Sequence, residues 1–231
     1  MKWTMLAAIA ATLSAPALGA DRRFTVTDFD RVQVEGPFTV VIKTGRPPSA
    51  RAIGSAKAME HVSIEVQGRT LKLRPNRSAW GGNPDEATGP IEIELSTHDL
   101  RGASLTGSGS LSIDKARGFR FDLALSGSGR ISVANVEADN LSLAMLGSGE
   151  MEIAGKAKTF RGTVQGSGSF DGKALDTEDA QLNAATSGSI DLKVRRAAKI
   201  VATGAGETNI IGKPACTVKA NGSGRVRCGK D

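Results

Sequence analysis

Apolar residues alternate with polar or small residues along most of the chain, in short runs that end at glycine-rich turns. In the run from Phe119 to Leu125 and again from Leu141 to Met145, every second residue is apolar. A period of two is typical of β-strands that bury one face, so each of these apolar residues, Phe119 included, is expected to face inward. The pattern predicts an all-β fold, and only the segment from Ala50 to Glu60 suggests a helical turn.

Seven turns of the Gly-Ser-Gly type recur in the second half of the chain. Their second glycines are 20, 20, 19, 20, 18 and 18 residues apart: Gly109, Gly129, Gly149, Gly168, Gly188, Gly206 and Gly224. A fixed period of this length is typical of a solenoid, in which each repeat buries its apolar face against its neighbours. We therefore predict a parallel β-helix of about 18–20 residues per coil, with two short strands and two corners in each coil.

The middle residues of these turns should form a file along the axis of the solenoid. They are Ser108, Ser128, Ser148, Ser167, Ser187, Ala205 and Ser223. Glycine suits the flanking positions because stacked corners leave little room for side chains. The serine hydroxyls are expected to bond to nearby backbone groups, with a recognition stripe as the alternative.

The part of the chain before the repeats has the same alternation without the glycine turns. Residues 21–104 are predicted to be opening strands that form either the first coils or a sheet covering the end of the stack. Residues 76–90 are rich in Gly, Pro and Asn and are predicted to form a long exposed loop. Together with the repeat coils of residues 105–231, these strands would make one domain of residues 21–231.

Residues 1–20 have the features of a secretory signal peptide. A short basic start is followed by an apolar run that is too short to cross a bilayer. Small residues allow cleavage after Ala17, Gly19 or Ala20. The protein is therefore expected to be exported to the periplasm, the cell surface or the medium.

The two cysteines agree with export. Cys216 and Cys228 each lie six residues from Gly222 in the last Gly-Ser-Gly turn. In an oxidising compartment a disulfide between them would close the terminal coil, and two free buried thiols are the alternative.

Charge suggests a partner for the C-terminal third of the chain. The full sequence has 30 basic and 24 acidic residues, and removal of residues 1–20 changes the net charge from +6 to +5. A basic patch is predicted from Lys193, Arg195, Arg196, Lys199, Lys213, Lys219, Arg225 and Arg227. Its expected partner is an anionic envelope polysaccharide or lipopolysaccharide, or another envelope protein. Alternatively, these cations keep an open β-edge from pairing, and nucleic acid is disfavoured because export removes access to it.

Candidate catalytic groups are few. His61 and His98 lie in no metal-binding or catalytic motif. The Gly-Ser-Gly turns lack the spacing of a nucleophile elbow and of phosphate-binding loops. The acids that could serve a polysaccharide-cleaving site, Asp114, Glu137, Glu152 and Asp171, share no convincing coil position with a basic partner. We predict no catalytic residue, no metal site and no cofactor.

Several motifs together resemble a known family. They are Phe29-Asp30-x-Val32-x-Val34-x-Gly36-x-Phe38-x-Val40-x-Ile42, Val66-x-Gly68-x-x-Leu71-x-Leu73, Ile91-x-Ile93-x-Leu95 and Leu105-Thr106-Gly107-Ser108-Gly109. In this order they are similar to the head GIN domain of auto-transporter adhesins, over nearly all of the chain after residue 20. The proline that usually precedes the first Gly-Ser-Gly turn is missing from residues 97–100. The resemblance implies a secreted β-helical domain of bacterial envelopes.

Three hypotheses about function follow. The first is an exported, non-enzymatic binding or adhesin-like module of the bacterial envelope. The second is a carbohydrate-active enzyme, a lyase or hydrolase, because such enzymes often use β-helices. The third is a structural spacer that self-assembles through the ends of the solenoid.

Overall fold

The computed structural model describes residues 20–76 and 91–230. The predicted signal peptide up to residue 19 and the predicted loop from residue 77 lie outside the described residues, so both stay predictions. Within these ranges the chain forms β-strands and one short helix.

Seven strands and the helix precede the strands of the repeat. Their bounds are β1 Ala20–Phe24, β2 Arg31–Glu35, β3 Thr39–Thr44, β4 Ser49–Gly54, α1 Ala56–Glu60, β5 Val62–Gln67, β6 Thr70–Pro75 and β7 Glu92–Thr97. The predicted helical turn is confirmed over Ala56–Glu60, where the Ser55 hydroxyl caps the helix by accepting a hydrogen bond from Ala58 N at 3.1 Å. The residues just before it, Ser49–Gly54, form a strand instead.

Ten strands build the repeat. They are β8 Gly102–Gly107, β9 Ser110–Ile113, β10 Ala116–Gly127, β11 Arg130–Gly147, β12 Glu150–Gly166, β13 Ser169–Thr186, β14 Ser189–Ala202, β15 Glu207–Ile211, β16 Ala215–Ala220 and β17 Arg225–Lys230. The long strands continue around bends of the backbone, so one strand covers most of a coil.

The coils stack in parallel and in register, as the period predicts. Gly127 pairs with Gly147, which pairs in turn with Gly166. The amide of Ser148 donates to Gly127 O at 3.0 Å, so the corner of each coil sits directly on the corner before it. The predicted parallel β-solenoid is confirmed.

Each coil has three faces, one more than predicted. In β11 the buried positions are Ile131 and Val133, then Val136 and Ala138, then Leu141, Leu143 and Met145. The alternation changes phase after Val133 and again after Ala138, and each change is a corner. The sequence predicts only one corner between successive Gly-Ser-Gly turns, because neither of these two corners carries a fixed glycine motif.

We name the faces by their strands. Face A ends at the Gly-Ser-Gly turn and contains β6, β2, β8, the last parts of β10 to β14, and β16. Face B begins after that turn and contains β7, β3, β9, the first parts of β11 to β14, β15 and β17. Face C lies between them and includes Ala116–Gly118, Val136–Ala138 and Gly155–Ala157.

The core is a narrow column of aliphatic and phenyl side chains between the three faces. Phe160 and Phe170 stack inside it with ring centroids 5.6 Å apart. Buried Gly162 and Gly172 leave space for these rings, because a Cβ on either glycine would lie within 3 Å of a ring carbon. The expectation for Phe119 is wrong: it lies at the corner between faces C and A and is 74% exposed.

The N-terminal strands do both things that the sequence left open. Strands β2 and β3 form a coil parallel to β8 and β9, with β6 and β7 stacked on its other side. Strands β1, β4 and β5 then pair antiparallel and cover this end of the stack. The buried carboxylate of Asp30, just before β2, accepts a hydrogen bond at 2.8 Å from Nε of Arg69, just before β6. This contact links the starts of these two neighbouring strands.

The C-terminal coil is closed by a disulfide. Cys216 on β16 and Cys228 on β17 are bonded, with their Cα atoms 6.6 Å apart. The predicted pairing is therefore confirmed. Val218, which continues the buried column in register with Ile200, is 43% exposed because no described strand covers it.

Candidate functional site

A shallow trough runs across four neighbouring strands on the outside of face A. It has a volume of about 320 Å³ and crosses β2, β8, β10 and β11. Small outward-facing residues form its floor: Gly102, Ser104, Ala124, Ser142 and Ala144. Because equivalent positions of successive coils line up, the trough runs along the solenoid axis.

Two arginines bracket the trough. Arg31, Gly102, Asp122, Ser142 and Arg161 occupy one register column, so four strand spacings separate the two guanidinium-bearing positions. At about 4.8 Å per spacing this is about 19 Å along the axis. The carboxylate of Asp122, in the middle of the column, accepts a hydrogen bond from Arg120 Nε at 2.8 Å, which forms an ion pair.

Two exposed apolar side chains lie beside this floor. Phe119 lies at the corner that leads into face A, and Leu146, 49% exposed, lies on the side of the Gly-Ser-Gly turns. Isolated exposed apolar residues are common, but an aromatic ring beside a polar trough can also stack against a flat ligand. The trough is therefore lined by small and polar residues and by Arg31, while Phe119 is exposed at the corner that leads into the same face.

A second depression lies at the N-terminal end, beside β1 and β4. It has a volume of about 500 Å³ and is lined by Arg23, Phe24, Thr25, Val26, Pro48, Ser49, Ala50 and Arg51. Arg51 is paired with Asp21 at 2.7 Å and with Glu94 at 3.8 Å. This depression lies on the strands that cover the N-terminal end of the solenoid, so it does not extend along the coils as the trough does.

The predicted file of small residues at the Gly-Ser-Gly corners is present and faces solvent. The backbone itself satisfies the corner amides: Ser128 N and Gly129 N donate to Gly107 O at 3.1 and 2.9 Å. A hydroxyl takes part where threonine replaces the first glycine, since Thr186 donates to Gly168 O and accepts from Gly188 N. The backbone therefore performs the role predicted for the serine hydroxyls.

Three acidic residues form a ladder on face B beside a lysine, contrary to the expectation that no two of the candidate acids share a coil position with a basic partner. Glu152 pairs in register with Asp171, and Asp171 pairs with Asp191. Lys173 Nζ lies 3.3 Å from Asp171 and 3.4 Å from Asp191, and these carboxylates raise its pKa. Each of the three acids lies three residues after the second glycine of its Gly-Ser-Gly turn, so the period of the turns is the signal that could have predicted the ladder.

The other nominated residues have structural contacts. Asp114 accepts hydrogen bonds from Thr44 N and from its hydroxyl at 3.0 and 3.2 Å, which fixes the end of β3. Glu137 is paired with Arg117 at 2.7 Å. His61 caps the C-terminus of α1, and the carbonyl of His98 accepts from Gly45 N at 3.0 Å. None of these contacts joins one of these two acids or two histidines to another.

The eight cations of the predicted basic patch are spread around the solenoid. Lys199 and Lys219 lie on face A, and Arg225 and Arg227 lie on face B. Arg195 pairs with Asp176 and Glu178, Arg196 with Asp179, and Arg227 with Glu207. Lys193 lies between faces B and C, and Lys213 between β15 and β16. Three of the eight cations are therefore matched by acids on the preceding coil.

Charges alternate in sign along the register columns of face C. Lys158 is paired with Asp139 at 2.8 Å, and that contact raises the pKa of Lys158. Hydrogen bonds from Arg117 and Arg196 lower the pKa values of Glu137 and Asp179 respectively. Opposite charges on neighbouring strands stabilise the stacking of the coils, each by a modest amount because they are exposed.

Within residues 20–76 and 91–230, no three His, Cys, Asp or Glu side chains are arranged to hold a metal ion. The same residues contain no α-helix of the length and hydrophobicity that a membrane crossing requires.

Solved structures share this architecture. A putative adhesin from Bacteroides fragilis has a TM-score of 0.81 and 17% identity, over 91% of this chain and 97% of that one. A putative lipid binding protein from Parabacteroides distasonis has a TM-score of 0.71 and 24% identity, over 91% and 96%. A putative adhesin from Parabacteroides merdae has a TM-score of 0.70 and 16% identity, over 91% and 95%. At these identities the likeness shows the fold alone.

Among curated proteins, none matches this sequence. A family model does match, over residues 28–214, which include the opening coil, the trough and all but the last Gly-Ser-Gly turn. The protein therefore belongs to the family described as "putative auto-transporter adhesin, head GIN domain".

Proposed function

We propose that the protein is an exported, non-enzymatic binding module of the bacterial envelope, adhesin-like in that it holds an extended ligand on its outer surface. The trough on face A carries this proposal. It is open and has a floor of small residues that lets a chain-like ligand lie along several coils. Rigid stacking holds the floor flat, so little conformational entropy is lost on binding.

The ligand class that fits best is an anionic polysaccharide, including the glycan part of lipopolysaccharide. Arg31 and Arg161 bracket the trough about 19 Å apart, and the carboxylate between them is neutralised by Arg120. Guanidinium groups bind carboxylates and phosphates in two-point geometry. Phe119 at the margin offers a face for a sugar ring.

A non-enzymatic role is supported by the surroundings of the acids. The acidic ladder of face B lies on a different face from the trough, and its Asp171 and Asp191 are engaged by Lys173. General acid catalysis needs a carboxyl group whose pKa is raised by burial. The acids whose pKa values shift, Asp21, Glu137 and Asp179, shift downward.

Export is proposed from residues 1–20 and from the disulfide. Fractionation of cells that express the full chain should place the mature protein outside the cytoplasm. Deletion of residues 1–20 should retain it inside with Cys216 and Cys228 reduced.

Binding to alginate, an anionic polysaccharide, tests the trough. Titration of the purified protein should give binding that weakens as salt rises from 50 to 300 mM, because part of the attraction is electrostatic. Dextran, a neutral polysaccharide, should bind more weakly at both concentrations.

Two variants locate the site. Ala144→Gln adds bulk to the floor and Arg161→Glu reverses a bracketing charge, so each should reduce affinity about tenfold or more. Ala134→Gln is the matched control because Ala134 is also exposed but lies at the corner between faces B and C. The proposal would be overturned if neither alginate nor lipopolysaccharide vesicles bind. It would also be overturned if Ala144→Gln leaves the affinity unchanged.

A further inference from the structure

The C-terminal coil presents an open strand edge. β16 pairs with β14, and no described strand lies on its other side. All six residues of β16 are exposed. The outer edge of such a strand carries a row of backbone N–H and C=O groups that another strand can pair with.

An apolar patch lies beside this edge. Val218 stacks on buried Ile200, and Val226 of β17 stacks on buried Thr208, so both continue the core column. Val218 remains 43% exposed, while Val226 is partly buried. A strand added to β16 would cover Val218 with every second side chain, as each coil covers the one before it.

The outward side of the same edge is basic. Strands β16 and β17 contain no acidic residue and four basic residues: Lys219, Arg225, Arg227 and Lys230. Lys219 lies on the outward side of β16, and Lys199 lies one coil back on the same face. Neither lysine has an ion pair within the described residues.

The preceding coils indicate what charge would lie next. Cations and anions on neighbouring strands pair repeatedly: Arg130 with Glu150, Asp139 with Lys158, Asp176 with Arg195, and Glu207 with Arg227. Among the described residues, Lys219 therefore has no acidic neighbour on the outer side of β16.

We propose that β16 is a docking edge for an extended acidic segment of a partner protein, which adds to face A as a further β-strand. Alternate residues of that segment would be apolar, to cover Val218, and acidic, to pair with Lys219. This interaction surface is separate from the trough and does not depend on the ligand proposed for it.

A partner protein fits better than a second copy of this chain. Two copies joined by their C-terminal ends would bring basic edges together. Joined head to tail, they would bring Arg22 and Arg23 of β1 towards Arg225 of β17, since β17 lies on face B and β1 extends that face through its pairing with β4, which pairs with β7. The acid on β5, Glu65, is already within 3.9 Å of Arg74 and accepts a hydrogen bond from Gln67.

Hydrogen exchange with designed peptides tests the docking edge. The probe is a decapeptide of alternating valine and glutamate, added to the disulfide-bonded protein. We expect slower amide exchange in β16, with little change in the trough strands. Lys219→Glu should weaken the effect about tenfold, because it places like charges side by side. Arg46→Glu is the matched control, since Arg46 is exposed at the opposite end of the solenoid.

Further arms separate the alternatives. A peptide of five valines followed by five glutamates has the same charge but lacks the alternation, so it should protect β16 much less. Equal protection by that peptide or by alginate would mean that charge alone drives binding, and it would overturn strand addition. Absence of protection with the alternating peptide would also overturn it. So would protection of β16 that rises with protein concentration without peptide, because it would identify a second copy as the occupant.

Discussion

Gly129 is the position where the stacking of the coils can be tested most directly. Its backbone is not in the left-handed region, so substitution by alanine tests space alone. A Cβ built there lies 2.6 Å from Gly109 O and 2.8 Å from a methyl carbon of Leu105, whereas ordinary contact begins at 3.4 Å. The corner would have to open by about 0.8 Å, the difference between 3.4 and 2.6 Å.

That opening weakens three hydrogen bonds between adjacent corners. Ser128 N and Gly129 N donate to Gly107 O at 3.1 and 2.9 Å, and Arg130 N donates to Gly109 O at 3.0 Å. At about 1 kcal/mol each, their loss costs about 3 kcal/mol. Alanine also lowers the entropy of the unfolded chain, which returns about 0.7 kcal/mol. Gly129→Ala should therefore reduce the free energy of unfolding by about 2 kcal/mol.

Guanidinium denaturation followed by far-UV circular dichroism measures this change, and hydrogen exchange at residues 128–130 locates it. Ser128→Ala is the matched control because Ser128 is exposed in the same turn, and its unfolding free energy should stay within about 0.5 kcal/mol of the original protein. The reasoning fails if Gly129→Ala is equally neutral, or if Ser128→Ala costs as much.

Three other predictions concern the core, the disulfide and the charge ladders. Phe160→Ala should cost about 3–5 kcal/mol because it removes a fully buried ring stacked on Phe170; calorimetry should show a lower Tm, and an unchanged Tm would contradict the packing. Cys216→Ala should lower the unfolding free energy by about 3 kcal/mol, with faster amide exchange first in β16 and β17; uniform exchange changes would argue against a local closure. The hydrogen bond from Arg196 lowers the pKa of Asp179 in the folded protein. The Asp179 carboxylate therefore stabilises the fold above its unfolded pKa of about 4, and this stabilisation is lost as pH falls through the folded pKa. Asp179→Asn should therefore be less stable than the original protein at pH 7 but not at pH 2, and a difference that persists at pH 2 would contradict this.

The repeat architecture was predictable because its signals are local. The period of the Gly-Ser-Gly turns sets the length of a coil, and stacked corners such as Gly127 on Gly147 follow from it. The disulfide was predictable for the same reason, since its cysteines flank one turn. The candidate site was less accessible, because the trough unites residues from β2 to β11 that are distant in sequence.

Two errors have different physical causes. Phe119 fits the alternation but lies just after Gly118, where the backbone turns a corner with φ +148° and the phase of the strand changes without a distinctive motif. Glu152 and Asp171 each lie three residues after the second glycine of a Gly-Ser-Gly turn, so they align before the register shift between residues 152 and 155. That alignment follows from the period of the turns, which sequence inspection did not apply to the acids.

The sequence by itself determined the strand content, the coil length and the solenoid, because alternation and period act through neighbouring residues. Only the tertiary structure decided that each coil has three faces, which charges pair between coils, and where the trough and the open edge lie. These features depend on the register between coils and on which side of a corner a residue falls. A shift of one residue at a corner moves a side chain from the core to the solvent.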